Sequence, residues 1–192
     1  RLTDVTGVQT CALPILAEAV KYGVICDRNF FDYMEANIDK LVARNGKVLT
    51  EVVANCSRLK ARVVVNDEKE TKGMRTILNF GHTVGHAIEG ANQFQDYQHG
   101  EAVALGMRVA LNISQRMGLI SPASVQRIGA LLSAAGLPEH IEHLTAGEII
   151  KCMAHDKKFH GAKNKFVLAT GIGSVKLVSD VAPEMIETAI KT

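Results

Sequence analysis

The sequence predicts a mainly α fold, a helical bundle with one small β-hairpin close to the C-terminal end. Most of the chain places apolar residues three or four positions apart, which is the spacing of amphipathic helices. Two short runs at residues 165–170 and 174–178 are joined by a turn containing two glycines, which is typical of a hairpin. The 192 residues contain no glycine-rich strand–turn–helix, so the sequence predicts no dinucleotide-binding residues in this chain.

The first four predicted helices follow in chain order. Residues 16–41 predict a helix with a break, and residues 48–65 predict a helix whose apolar face includes Lys60. Residues 74–90 are apolar on most faces, so we expect them to form one buried helix. Residues 99–117 predict a central helix that ends before Gly118.

Local capping signals define the remaining elements. Ser121 followed by Pro122 predicts the start of a helix that stops at Gly136. Thr145 with Glu148 forms a capping box for a short helix through residue 153. The hairpin follows, and residues 183–190 predict a closing helix.

Composition narrows the class of protein. With 47% hydrophobic and 22% charged residues and a net charge of +2, the chain resembles an ordinary globular protein, and we expect neither a nucleic acid nor a membrane as its partner. No apolar run approaches the roughly 20 residues of a membrane span. The four cysteines form no CxxC pair, which predicts reduced thiols in a cytoplasmic protein.

A polar stripe in residues 74–90 is the main functional signal. Arg75, Asn79, His82 and His86 fall within roughly 60° of one helix face. Burying such groups is costly unless they line a polar cavity that holds a ligand. By spacing alone, His82 and His86 are a candidate metal pair, because residues four apart on a helix can bind one ion. The alternative is that each is a hydrogen-bonded core histidine.

Other polar residues stand out less. Glu18 and Lys21 lie three apart in an apolar helix and would form a local ion pair if they had no other role. Lys60 could extend its ammonium group to solvent. His99 stands at a predicted helix start, and Lys157 and Lys158 precede the hairpin.

Several stretches together resemble the 3-dehydroquinate synthase family. They run in order from residue 16 to the C-terminus: residues 16–23 (LAEAVKYG), 60–64 (KARVV), 78–89 (LNFGHTVGHAIE), 99–107 (HGEAVALGM) and 156–158 (DKK). The resemblance implies the helical C-terminal domain of that family, for which residues 16–192 would be the metal- and substrate-binding domain.

The resemblance also implies roles for individual residues. The metal ligands would be Glu18, His82 and His99, which separates His82 from His86. His86, Lys21 and Glu70 would be the catalytic residues. The residues that the resemblance implies for substrate binding are Lys60 and Arg75 at the carboxylate and Asn79, His86 and Lys157 at the phosphate.

For the intact enzyme, the resemblance implies a zinc (or cobalt) ion, a bound NAD and a homodimer. The substrate would be an anionic sugar-acid phosphate, 3-deoxy-arabino-heptulosonate 7-phosphate, converted to 3-dehydroquinate with loss of phosphate in the shikimate pathway of aromatic amino acid biosynthesis. Arg binds carboxylates through two hydrogen bonds and Lys supplies a point charge to phosphate, which suits a substrate that carries both anionic groups.

Two departures from the family pattern lead to expectations. The family's NAD-binding N-terminal domain is not in this sequence, so we expect the chain to be inactive alone. Glu70 and Arg75 lie one residue further apart than in the family pattern, so we expect Glu70 to be displaced if Arg75 keeps its place.

The first fifteen residues are a separate case. Residues 5–15 (VTGVQTCALPI) match the translation of a common short-read sequencing adapter, so we expect residues 1–15 to be non-native.

Two other functions stay open from the sequence. The chain could belong to another sugar-phosphate cyclase or a metal-dependent polyol dehydrogenase of the same fold, in which case a carboxylate-binding Arg75 would have no partner. It could also be a helical metal-storage or interaction module in which His82 and His86 bind one ion together.

Overall fold

A computed structural model describes residues 6–68, 73–93, 96–155 and 164–192, without the side chains of residues 6–13 and of His155. In chain order the helices are α1 (Thr6–Cys26), α2 (Arg28–Ala36), α3 (Ile38–Val42), α4 (Gly46–Asn66), a 3₁₀ helix (Met74–Asn79), α5 (His82–Ala91), α6 (His99–Arg116), α7 (Pro122–Ala134), α8 (Ala146–His155) and α9 (Pro183–Ile190). Strands β1 (Lys165–Gly171) and β2 (Ser174–Ser179) precede α9. The predicted helical bundle with a C-terminal hairpin is confirmed.

Helix α6 is the centre of the bundle. It packs against α1, α5, α7, α9 and β1. Its buried side chains include those of Leu105, Met107, Leu111 and Ile113, none of which is more than 2% exposed. A helix that is apolar nearly all round must be surrounded by other elements, and this position places its first residue, His99, beside both α1 and α5.

The hairpin is attached to the bundle by hydrogen bonds as well as by apolar contacts. β1 and β2 pair antiparallel, and Phe166 to Ala169 of β1 are buried. The backbone N–H of Ala169 donates to the Ser114 hydroxyl of α6 at 3.0 Å. The N–H of Gly173 in the turn donates to the carbonyl oxygen of Val24 in α1 at 2.9 Å.

The predicted capping signals are confirmed. The Ser121 hydroxyl accepts from the N–H of Ser124 at 3.2 Å at the start of α7. The Thr145 hydroxyl accepts from the N–H of Glu148, and the Glu148 carboxylate accepts from the N–H of Thr145, so that the two residues form a capping box for α8.

The prediction of a single helix over residues 74–90 is wrong. The 3₁₀ helix ends at Asn79, and α5 begins only at His82, after Gly81 with φ of +79°. An α-helix cannot contain a residue in this left-handed conformation, so the chain turns between Asn79 and His82. The polar stripe therefore belongs to two helical segments instead of one.

Glycines allow α5 and α6 to approach closely. A Cβ added to Gly106 would overlap the carbonyl oxygen of Gly81, and one added to Gly85 would lie 3.0 Å from the carbonyl oxygen of Ala102. This close approach sets the separation between the start of α5 and the start of α6. Among the described residues, no helix is both long and apolar enough to cross a membrane.

Candidate metal and anion site

Three imidazoles and two carboxylates meet where α1, α5 and α6 come together. The His82 ring centroid lies 5.4 Å from that of His86 and 5.5 Å from that of His99. The potential ligand atoms of Glu18, His82 and His99 all lie within 4.8 Å of one another. The side chains that the family resemblance assigns to the metal are thus adjacent, although they come from three separate helices.

The hydrogen bond made by His82 determines which of its nitrogens is available. The Nδ1–H of His82 donates to the carbonyl oxygen of Phe80 at 3.1 Å. A carbonyl oxygen can only accept, so Nδ1 carries a proton, and in the neutral ring Nε2 is the nitrogen that offers a lone pair. That Nε2 lies 3.3 Å from Oε1 of Glu18.

Glu18 presents an unsatisfied oxygen to this nitrogen. Its Oε1 is buried and has no hydrogen-bond donor among the described residues. Two lone pairs facing each other at this distance are unfavourable unless a proton or a cation lies between them. The donor set therefore fits a cation that binds nitrogen and carboxylate oxygen.

The second oxygen of Glu18 is paired with Lys21. Oε2 lies 2.6 Å from the Lys21 Nζ, and that lysine is only 3% exposed. Burial raises the pKa of Glu18, but the neighbouring His82 and Lys21 outweigh burial and hold the pKa at about 2. Glu18 is therefore an anion at neutral pH. Lys21 thus lies beside one of the three potential metal ligands, and its catalytic role stays a prediction.

His99 is held by a carboxylate of α5. Its Nδ1 lies 3.0 Å from Oε1 of Glu89, whose side chain is 10% exposed, whereas the His99 side chain is 47% exposed. His99 is the first residue of α6, and the Glu101 carboxylate stabilises that end by accepting from the N–H of Gln98 at 2.9 Å.

A second group of potential ligands shares His99. The ligand atoms of His86, Glu89 and His99 also lie within 4.8 Å of one another. In the part of the chain that the structure describes, neither group of three contains both His82 and His86. The pairing that helical spacing favoured, His82 with His86 on one ion, is therefore not the arrangement that either group offers.

The residues implied for anion binding lie on several different elements. Arg75 and Asn79 lie half-buried on the 3₁₀ helix, and His86 is exposed on α5. The buried carboxylate of Asp67 accepts from the N–H of Met74 at 2.7 Å, which anchors the start of the 3₁₀ helix. Glu70 and Lys157 lie outside the described residues.

Lys60 lies on the exposed side of α4. The buried side chains of that helix are Val48, Val52, Leu59 and Val63. The predicted apolar face that contained Lys60 is therefore only partly buried, and its Val53 is 51% exposed. The exposure of Lys60 agrees with the alternative that its ammonium group extends to solvent, and its role at the substrate carboxylate stays a prediction.

The sequence matches the 3-dehydroquinate synthase C-terminal family over residues 16–159. The chain belongs to this family. The 3-dehydroquinate synthases of Acidithiobacillus ferrooxidans and Aliivibrio fischeri are both 42% identical to it, over 176 and 177 residues. Each alignment covers 92% of the chain but 48% and 49% of the relative, so the chain spans about half the length of these relatives.

Solved structures of related enzymes share the fold. A 2-epi-5-epi-valiolone synthase from Streptomyces hygroscopicus, with NAD⁺ and Zn²⁺ bound, superposes with a TM-score of 0.81 at 26% identity, covering 93% of this chain and 50% of its own. A 2-deoxy-scyllo-inosose synthase, complexed with carbaglucose-6-phosphate, NAD⁺ and Co²⁺, gives 0.82 at 26% identity, covering 95% and 52%. The expected 3-dehydroquinate synthase C-terminal fold is confirmed.

Three contributors to the site of this 3-dehydroquinate synthase family member were not selected from the sequence. Glu89 follows His82 by seven positions and so shares its helix face, which was a detectable signal. The Phe80 carbonyl and the Asp67 carboxylate gave none, because their contacts depend on the turn at Gly81 and on the packing of the 3₁₀ helix.

Proposed function

We propose that this chain is the metal- and substrate-binding half of a 3-dehydroquinate synthase, a carbon–oxygen lyase acting on a phosphate. The whole enzyme would convert 3-deoxy-arabino-heptulosonate 7-phosphate to 3-dehydroquinate with loss of phosphate, in the shikimate pathway. The relatives at 42% identity carry that name. The observation that carries the proposal is the buried Oε1 of Glu18, which has no hydrogen-bond donor among the described residues and lies 3.3 Å from Nε2 of His82, beside His99.

Glu18, His82 and His99 would hold the ion. One carboxylate oxygen and two imidazole nitrogens leave open coordination positions, as a catalytic zinc site requires. When bound, the zinc or cobalt ion supplies Lewis acidity and orients substrate hydroxyls. The enzymes of similar fold have Zn²⁺ or Co²⁺ bound, which supports the same choice of metal here.

The other polar residues would bind and orient the substrate. Arg75 would pair with its carboxylate, with Lys60 contributing positive charge. Asn79, His86 and Lys157 would bind the phosphate, and Lys21 and Glu70, with His86, would act in the proton transfers. The Asp67 carboxylate supports this assignment, because it anchors the helix that carries Arg75 and Asn79.

NAD would bind mainly to a domain outside this chain, since no dinucleotide fingerprint occurs in its 192 residues. We propose that residues 1–15 are non-native, which agrees with a family match that begins at residue 16. Sequencing the genomic DNA upstream of the Leu16 codon tests both ideas. A glycine-rich nucleotide-binding half joined in frame directly to Leu16 supports both. A stop codon directly upstream of Leu16 would contradict the NAD-binding domain, and genomic codons for residues 1–15 would contradict their non-native origin.

The whole enzyme would work in the cytoplasm as a homodimer. The free thiols of Cys26, Cys56 and Cys152 support a reducing compartment. The homodimer is implied by the family resemblance. Light scattering of the whole enzyme tests it, and a monomeric mass at micromolar concentration would contradict it.

A second candidate is another sugar-phosphate cyclase, because the two enzymes of similar fold are a 2-epi-5-epi-valiolone synthase and a 2-deoxy-scyllo-inosose synthase. Arg75 separates the candidates, since a carboxylate anchor has no use when the substrate has no carboxylate. In the whole enzyme, Arg75→Ala should raise KM strongly for the heptulosonate phosphate. An unchanged KM would contradict this role of Arg75, and a parent enzyme that does not turn over the heptulosonate phosphate would favour the second candidate.

Metal binding tests the ligand set directly. We expect the 192-residue chain to bind one Co²⁺ ion and to show visible absorption bands. The His99→Ala variant should lose this stoichiometric binding, whereas the His86→Ala variant should retain it.

In the whole enzyme, His86→Ala should lower turnover. Co²⁺ retained by His99→Ala but lost by His86→Ala would contradict the assignment, and turnover by the chain alone with added NAD would contradict its dependence on a second domain.

A further inference from the structure

Glu89 is a buried acid in the middle of the polar centre. It lies in α5, is 7% exposed, and its Oε1 is 3.0 Å from Nδ1 of His99 in α6. A buried carboxylate is costly unless it is paired or accepts hydrogen bonds. The contact with His99 supplies such a partner across the interface between the two helices.

This contact selects the tautomer of His99. An ionised carboxylate only accepts, so the proton of the neutral ring is on Nδ1, and Nε2 carries the lone pair. With Nδ1 engaged, Nε2 is the nitrogen left to bind a cation. The Phe80 carbonyl imposes the same tautomer on His82, so both rings are prepared in the same way.

We propose that Glu89 is a positioning residue that accepts the Nδ1–H of His99 and so directs Nε2 of that ring to the metal. The inference rests on the proposed metal site of Glu18, His82 and His99. In metalloproteins, carboxylates that orient a ligand histidine in this way typically change metal affinity by about 10- to 100-fold when removed.

The competing arrangement uses Glu89 as a ligand. An ion between His86, Glu89 and His99 would take the Glu89 oxygen itself. Two features favour the positioning role. His99 is common to both groups, but His86 is exposed whereas Glu18 and His82 are half-buried, so that ion would lie nearer the open surface. The unsatisfied buried oxygen, Oε1 of Glu18, belongs to the other group.

Two substitutions of Glu89 separate these roles in the 192-residue chain. Glu89→Gln keeps an oxygen that accepts the same hydrogen bond, so we expect Co²⁺ affinity within a few fold of the parent and a similar visible spectrum. Glu89→Ala removes the acceptor and should weaken Co²⁺ binding by about 10- to 100-fold. Glu51→Gln is the matched control, because Glu51 is an exposed acid on α4, and it should bind as the parent does.

A metal-free measurement keeps the inference testable if Glu89→Ala unfolds. In ¹⁵N-histidine NMR spectra of the apo chain, we expect His99 as the Nδ1–H tautomer in the parent and in Glu89→Gln. An Nε2–H tautomer in the parent would overturn the inference. Parent-like Co²⁺ affinity in a folded Glu89→Ala would also overturn it, as would a Glu89→Gln that loses the ion as completely as His99→Ala.

The failure of the metal site itself has a different signature. If His82→Ala and Glu18→Ala both kept stoichiometric Co²⁺, the proposed ligand set would be wrong whatever Glu89 does. If those variants lose Co²⁺ while Glu89→Ala keeps parent affinity, the ligand set holds and the positioning role is wrong.

Discussion

The close approach of α5 and α6 leads to a prediction about stability. A methyl group at position 106 would overlap the Gly81 carbonyl oxygen and lie 2.8 Å from the backbone nitrogen of Gly85. These are backbone atoms, which cannot move aside as the end of a flexible side chain can. We therefore expect Gly106→Ala to force the two helices apart.

The magnitude follows from two opposing effects. Replacing glycine by alanine inside a helix stabilises by about 1 kcal/mol, because glycine has more conformational freedom to lose on folding. Overpacking a tight contact costs typically about 1–3 kcal/mol, and a backbone clash belongs at the upper end. The net expectation for Gly106→Ala is a loss of about 2 kcal/mol, or roughly 4–8 °C in Tm for a chain of this size.

Gly129→Ala is the matched control. Gly129 lies inside α7, and its added Cβ would meet the Arg108 Nη1 at 3.5 Å, which is ordinary contact. Here the helical preference of alanine should dominate and raise stability by about 0.5–1 kcal/mol. Urea and thermal unfolding followed by circular dichroism measure both. Equal stability of the two variants would refute the close approach as a constraint on this fold.

Three further predictions concern individual side chains. Asp67→Ala should lower the free energy of unfolding by about 1.5–3 kcal/mol, because it removes a buried charged acceptor for the N–H of Met74. Burial and the negative charge of Glu18 raise the pKa of Cys56 to about 12, so iodoacetamide should modify Cys56 much more slowly at pH 8 in the native apo chain than in urea. The pKa of Glu18 is lowered from 4.5 to about 2, so its ionised form stabilises the fold above pH 4.5 and this contribution is lost as the pH falls towards 2. The stability advantage of the apo parent over Glu18→Gln, measured from urea midpoints, should shrink over that interval.

Each of these has a contrary outcome. An Asp67→Asn variant as unstable as Asp67→Ala would show that the accepted hydrogen bond is not the cause. Equal rates of Cys56 modification in native and urea-unfolded chain, mapped by mass spectrometry, would contradict the raised pKa. The lowered pKa of Glu18 would be contradicted if the difference in stability between the apo parent and Glu18→Gln stayed constant from pH 7 to pH 2.5.

Much of the secondary structure was predictable because its signals are local. The Ser121 and Thr145 caps act on residues three positions away, and the glycine turn before β2 joins adjacent strands. The candidate metal ligands were found by resemblance to family motifs, since nothing in the spacing of Glu18 relative to His82 shows that they meet. Spacing alone favoured His82 with His86, which share a helix.

The single helix predicted over residues 74–90 shows why local patterns are insufficient. Apolar spacing is similar for an unbroken helix and for two segments separated by a turn. What breaks the helix is Gly81 in a left-handed conformation, packed against Met107 and Val103 of α6. That packing depends on residues far along the chain, which no window of sequence around Gly81 contains.

By itself, the sequence determined the family, the order of most helices and strands and the kinds of side chain available for a metal and an anion. Only the tertiary structure decided that the oxygen of Glu18 faces the nitrogen of His82, that Glu89 holds His99, and that Lys60 lies outside the core. The physical reason is range: caps and turns are decided within a few residues of the chain, whereas the site exists only because α1, α5 and α6 pack closely enough to bring distant side chains within bonding distance of one another.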